Sequence, residues 1–293
     1  VSDASFDPAA PLTPSGNLRR RRAFSHFAEY SATAAAVAAV AVLGIVIFGV
    51  AVHGASALSL DFLLKGAPEG IGPELVGTAE IVAIATLIAA PIGILLALYL
   101  TEFGNGHVAR WTKLTLDLMN GLPSILVGVF IFILIVENIT HKESGIAGSV
   151  ALAVIMLPII ARGTIEILLL VPNSLREAAD ALGISRWRTV LGVILPSAIG
   201  GILTSTVLAV ARAAGETAPL ILLCSSYDPS QVELNPFVAL PNIPTTIFRL
   251  SEEASPEGFT QAWGAGLVLL TFIMITSIGA RILLARTRSK MAQ

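Results

Sequence analysis

PNSLREAADALGISRWRTVLGVILP, residues 172–196, is a polar interruption between two long apolar runs. Ser174 and Glu177 have the spacing of a capping box, in which each side chain satisfies a free backbone N–H at a helix start. From that start Leu175, Ala178, Ala179 and Leu182 fall at i, i+3, i+4 and i+7, which makes one face apolar. Arg176, Glu177 and Asp180 project elsewhere around the helix. Gly183 stands where a left-handed C-terminal stop belongs. The spacing predicts a helix of about two turns, too short to hold itself in water. It needs a docking surface, and two alanines on its apolar face would let another protein's groove approach closely.

The runs on either side set the class. The chain has 293 residues, of which 55% are hydrophobic and 13% charged, with a mean hydropathy of +0.82. Soluble domains carry about 25% charged residues, and long apolar stretches mark membrane spans. Six spans are expected, over about residues 32–52, 75–100, 114–136, 149–171, 198–224 and 262–284. Residues 1–31 read as a disordered and basic tail, 32–74 as the first span with an external loop, 75–285 as a five-span core, and 286–293 as a second tail. Arg19 to Arg22 precede the first apolar run as in a secretory signal. That run is longer than a signal's apolar region of about 7–15 residues and lacks a convincing cleavage site, so it is taken as an uncleaved span.

Basic residues orient the spans. One side of the membrane would carry Arg19, Arg20, Arg21, Arg22, Arg110, Lys113, Arg176, Arg186, Arg188, Arg286, Arg288 and Lys290. The other would carry only Lys65, Lys142 and Arg249. The positive-inside rule then puts both termini and the 172–196 loop in the cytoplasm.

Several chemistries are excluded or unsupported. One cysteine, Cys224, cannot form an intrachain disulfide, and the four histidines show no metal-ligand spacing. A net charge of -2 gives no reason to expect nucleic-acid binding. Gly104 to Ala109 matches the dinucleotide fingerprint by letters, but it joins two spans with no preceding buried strand and reads as a turn. No G-x-x-x-x-G-K-[ST], H-E-x-x-H or G-x-S-x-G occurs, so the chain is expected to be no enzyme and to bind no cofactor itself.

Charge inside the spans is where mechanism is to be sought. An arginine at mid-membrane costs about 2.5–3.5 kcal/mol on insertion scales, so it faces a bundle interior or water. The fourth span holds Arg162 and Glu166, and the fifth holds Arg212 and Glu216; both are Arg-x-x-x-Glu, one turn apart on one helix face. Each pair could simply neutralise itself or could line a path. Pro219 lacks an N–H, so the Gly215 carbonyl loses its partner, and Thr217 could offer a substitute. Irregular backbone at membrane depth is tolerated where it lines a cavity, so Gly215 to Pro219 reads as a kink beside a polar path.

Glu177-Ala178-Ala179, Gly183 and Val193-x-Leu195-Pro196 together resemble the EAA loop of ABC importer permeases, with Val193 where that family has Ile. In that family the loop is the coupling helix, seated in a cleft of the ATP-hydrolysing subunit. The resemblance therefore implies coupling roles for Ser174, Leu175, Glu177, Ala178, Ala179, Leu182 and Gly183. Gly215-Glu216-Thr217-Ala218-Pro219 after Arg212, Leu122-Pro123-Ser124-Ile125 and Leu157-Pro158-Ile159-Ile160-Ala161-Arg162 resemble the permeases of phosphate-specific ABC importers. Asn235-Pro236-Phe237 and Leu240-Pro241 are closer to the PstA type than to the PstC type. The family commonly has Arg-Thr-Thr-Glu-Glu where Arg162-Gly163-Thr164-Ile165-Glu166 stands.

The resemblance implies an all-α integral membrane protein with the six-helix type I ABC importer fold, in a bacterial inner membrane. It implies a second permease of PstC type, two ATPase subunits of PstB type that bind ATP and magnesium, and an external phosphate-binding protein of PstS type. Arg212, Glu216, Thr217, Arg162 and Glu166 would line the path for inorganic phosphate. A permease of another ABC importer (sulfate, molybdate or amino acid) is the alternative, and an ATP-independent transporter or channel is a further one.

Overall fold

The computed structural model describes residues 18–253 and 255–291, among which there is no strand. Of the tail expected over residues 1–31, residues 1–17 lie outside the described residues and residues 18–31 are helical; the side chains of Arg19, Arg281, Arg286, Arg288 and Lys290 also lie outside the description. Residues up to Ala51 form one compact unit and those from Val52 another. The first contains most of α1 (Leu18–Gly54), an apolar helix long enough to cross a membrane.

The second unit holds the remaining helices. Ser59 begins the short α2 (Leu60–Leu64) by accepting the Phe62 N–H at 3.0 Å. Then come α3 (Gly72–Leu98), continued by a π-helical stretch Tyr99–Phe103, and α4 (Gly106–Gly121). Next are α5 (Ser124–Ile131), continued by a π stretch Phe132–Thr140, and α6 (Gly145–Leu169). After α7 (Asn173–Ala181), α8 (Arg186–Thr189) passes through a π stretch, Val190–Ile194, into α9 (Leu195–Ala214). The chain closes with α10 (Ala218–Leu223), α11 (Ile243–Glu252) and α12 (Pro256–Met291). Five helices are long and apolar enough to cross a membrane, and a sixth span forms if α4 and α5 count as one.

That sixth span is not the straight helix expected over residues 114–136, because α4 and α5 are bent by 106°. The cause is Pro123, which fixes its own φ and pushes Leu122 into extended backbone (φ −73°, ψ 132°). The fifth span is also interrupted. α9 stops at Ala214, Gly215 adopts φ −98°, ψ 0°, and Pro219 falls in the first turn of α10, where a missing N–H costs nothing. The expected kink is therefore a break with a fresh start, and the Thr217 side chain does not cap α10.

α6 is the hub, packed against α3 and α9 and also touching α4, α5 and α10. Lipid offers no hydrophobic force between helices, so close packing of small side chains holds them. Ala85 and Ala89 of α3, Ala151 of α6, and Ala209 and Ala213 of α9 are fully buried among Leu152, Met156 and Ile160. The stretch expected to be a polar connection, residues 225–261, contains α11 and is fastened to the spans. Glu143 accepts the N–H groups of Ser225 and Ser226 at 2.7 and 2.8 Å. The first free N–H groups of α6, on Gly145 and Ile146, donate to the carbonyls of Val238 and Pro236, each at 2.7 Å. Thr78 of α3 accepts the Ile243 N–H at 2.9 Å, and the buried Cys224 thiol donates to the Ser144 carbonyl at 3.1 Å.

Candidate functional site

Two groups of sequence-predicted residues separate in space, one along α6, the end of α9 and the start of α10, and one on α7. Arg212 closes the last turn of α9, and Glu216 lies in the break that follows it. The break tightens the turn, since the N–H groups of Gly215 and Glu216 donate back to the Arg212 and Ala213 carbonyls, each at 3.1 Å. Arg212 Nε thereby reaches Glu216 Oε1 at 3.4 Å, with the guanidinium side chain 59% exposed and the carboxylate 14%.

The guanidinium faces a cleft of ≈ 40 Å³ whose walls include Asn120, Leu122, Ser124, Ile155 and Ile159. Three motifs far apart in sequence thus meet at one point: the Leu122–Ile125 joint, the Leu157–Arg162 segment and the Arg212–Pro219 segment. Gly128 makes the approach possible, because a Cβ there would stand 2.9 Å from the Pro219 Cα. The helices that restart after the two breaks, α5 and α10, therefore pack closely on each other.

Arg162 does not pair with Glu166 as its i+4 spacing predicts. It bonds Asp117 of α4, the helix lying alongside α6, and Glu166 stays exposed. Sequence spacing sets which groups share a helix face, and here the nearer carboxylate comes from another helix. Ile155, Ile159 and Arg162 share one face of α6. Arg162 and Asp117 accordingly lie about one turn beyond the Arg212 cleft, toward the α7 end.

At that end the capping box expected from Ser174 and Glu177 is absent. Pro172 is the N-cap, its carbonyl accepts the Leu175 N–H at 3.2 Å, and Ser174 falls inside the first turn. The C-terminal stop forms as the sequence predicts. Gly183 has φ +68°, its N–H donates to the Asp180 carbonyl, and the Ile184 N–H donates to the Ala179 carbonyl, both at 3.0 Å. This is the Schellman arrangement. Ala179 is buried, whereas Leu175, Glu177, Ala178 and Leu182 are exposed, Leu182 by 78%. Apart from Ala179, the apolar face is left open by the described residues.

A family described as binding-protein-dependent transport system inner membrane component matches residues 89–289. The chain belongs to that family. This permease is 35% identical over 243 residues to a phosphate transport system permease protein PstA of Pasteurella multocida, covering 81% of this chain and 86% of the relative. It is 37% identical over 243 residues to the PstA of Haemophilus influenzae, covering 81% and 85%. It is 36% identical over 214 residues to PstA 1 of Mycobacterium tuberculosis, covering 72% and 69%. A permease chain in the structure of a bacterial alginate ABC transporter with its periplasmic protein superposes with a TM-score of 0.68 at 15% identity, over 91% of this chain and 96% of that one. An inward-facing MetNI methionine ABC transporter gives 0.61 at 17% identity, over 73% and 96%. The fold is that of the type I ABC importer transmembrane domain, and the permease is an integral inner-membrane protein with ATPase, second-permease and binding-protein partners in such importers.

One residue of the permease escapes sequence reasoning altogether. Glu102 lies between the spans expected over residues 75–100 and 114–136, just before the Gly104 to Ala109 turn, yet its side chain is 0% exposed. The π stretch ending α3 turns it inward, where Arg176 and Arg186 from either side of the Gly183 stop meet it at 2.7 and 3.0 Å. No local pattern announces this, because the partners stand 74 and more residues away.

Proposed function

We propose that this permease is the PstA-type subunit of a phosphate importer, with inorganic phosphate passing Arg212 and with α7 coupling its passage to a separate ATPase. The observation that carries the reading is the convergence of the Leu122–Ile125 joint, α6 and Arg212 on one cleft. A guanidinium matches phosphate oxygens with two parallel hydrogen bonds and stays charged at any relevant pH. A permease must also release its substrate. Glu216, 3.4 Å from Arg212, solvates the cation while the path is empty and repels the anion once it arrives. Asp117 does the same for Arg162 one turn further on. Thr217, at the break, and Glu166, exposed on α6, complete the polar groups assigned to the path.

The chain itself hydrolyses nothing. ATP and magnesium belong to two PstB-type subunits, one of which seats the open face made by Leu175, Ala178 and Leu182, with Gly183 fixing where the helix ends. A PstC-type permease supplies the other half of the path, and a PstS-type protein delivers phosphate from outside. The basic residues flanking the spans support cytoplasmic termini and a cytoplasmic α7. ATP-dependent uptake of radiolabelled phosphate and of sulfate by the reconstituted complex tests the reading. Phosphate should enter, and Arg212→Ala should abolish uptake while the complex still assembles. Preferential sulfate uptake, or normal phosphate uptake by Arg212→Ala, would overturn it.

A further inference from the structure

All five N–H donors of Arg176 are used. Its Nε and one Nη2 hydrogen reach the Glu102 carboxylate at 3.2 and 2.7 Å. The other Nη2 hydrogen goes to the Leu168 carbonyl at 3.1 Å, and Nη1 serves the Val171 carbonyl and Asn173 Oδ1 at 2.8 and 3.1 Å. One side chain of α7 is thereby bonded to the end of α3, the end of α6 and its own first turn. The second oxygen of Glu102 takes Arg186, at the start of α8, at 3.0 Å. Both flanks of the coupling stop, before and after Gly183, are thus fastened to one buried carboxylate. Without it the segment hangs from two pivots, the extended Pro172 and the left-handed Gly183.

We infer that Glu102 is the positioning residue that makes the coupling loop a rigid lever on the transmembrane core. It touches neither ATP nor substrate. Through Arg176 and Arg186 it ties α7 to α3 and to the continuous helix leading to Arg212, so a push on α7 displaces these spans together. A charged donor pair on a fully desolvated carboxylate is stiff, because without the two arginines the carboxylate would be an unpaired charge in a dry site. This rests on the proposed docking of the ATPase on α7, and the test separates the two.

The complete importer, with both permeases, two ATPases and the binding protein, is reconstituted in liposomes, and the ATP hydrolysed per phosphate imported is measured. Glu102→Gln keeps the shape and loses the charge. ATPase binding should stay within about threefold, hydrolysis should continue, and the ATP consumed per phosphate should rise at least about tenfold as the lever slackens. Combining it with Arg176→Gln should be no worse than the more damaging single change. An unchanged ratio, or uptake and hydrolysis falling together in proportion to assembled complex, overturns the inference. If Glu102→Gln fails to assemble, Arg186→Gln removes one arm only and should give an intermediate ratio; a wild-type ratio there overturns it equally. Failure of the docking premise has a different signature: Leu182→Arg would bind the ATPase as tightly as wild type.

Discussion

Gly183→Val isolates the geometry of the coupling stop. A Cβ at Gly183 meets nothing within 4 Å, so the substitution makes no clash, and its whole cost is conformational. With φ at +68°, an L-residue carries a penalty of about 1–2 kcal/mol, and β-branching makes it worse. If the chain escapes by leaving the left-handed region, it gives up two 3.0 Å hydrogen bonds, from Gly183 and Ile184, each worth about 0.5–1.5 kcal/mol. Either route destabilises the end of α7 by about 2 kcal/mol, which is roughly a 30-fold loss of affinity for a partner that needs the helix intact. Titrating purified ATPase subunit against permease in nanodiscs reads this directly. Gly183→Asn, which tolerates the left-handed region, should lose less than about threefold. Membrane insertion should be unaffected, since no span is touched. Wild-type affinity for Gly183→Val would refute the reasoning, and so would equal loss for Val and Asn, because φ would then not be the cause.

Replacing both charges of the cleft, Arg212→Leu with Glu216→Leu, should give a complex that assembles but imports no phosphate; uptake by this double variant at wild-type expression would mean the pair merely neutralises itself. Asp117→Asn should slow phosphate uptake several-fold or more while Glu166→Gln changes it less than about twofold, and the reverse order in a transport assay would contradict the pairing of Arg162. Gly128→Val should lower thermal stability by about 1–3 kcal/mol by forcing α5 away from Pro219, measurable as a lower unfolding temperature in detergent.

The coupling loop was legible because its signal is local: apolar spacing, a glycine stop and flanking spans all lie within 25 residues of one another. The start of α7 was misread by two positions, since Pro172 can cap with its carbonyl and pre-empts Ser174. Hydropathy could not see the 106° bend, because apolar residues continue on both sides of Leu122-Pro123; the proline was the available signal. Arg162 shows the limit of i+4 reasoning, which weighs only partners on the same helix. Glu102 and Asp117 depend wholly on which helices become neighbours, and that is settled by small-residue packing around α6 rather than by any pattern near either acid.

The π stretch Val190–Ile194 has a consequence for chain length. A π turn accommodates one residue more than an α turn, and each residue advances a helix by about 100°. The wide turn absorbs its extra residue, so removing one residue from Val190–Ile194 would let the segment relax to ordinary α geometry with the phase beyond it nearly kept, whereas removing one from α9 ahead of Arg212 would rotate Arg212 by roughly that angle. A deletion of that second kind would swing Arg212 out of the cleft. The angular phase between the proposed coupling loop and the proposed path cation is therefore written in the number of α-helical residues joining them, so insertions or deletions between Leu195 and Arg212 act as changes of address.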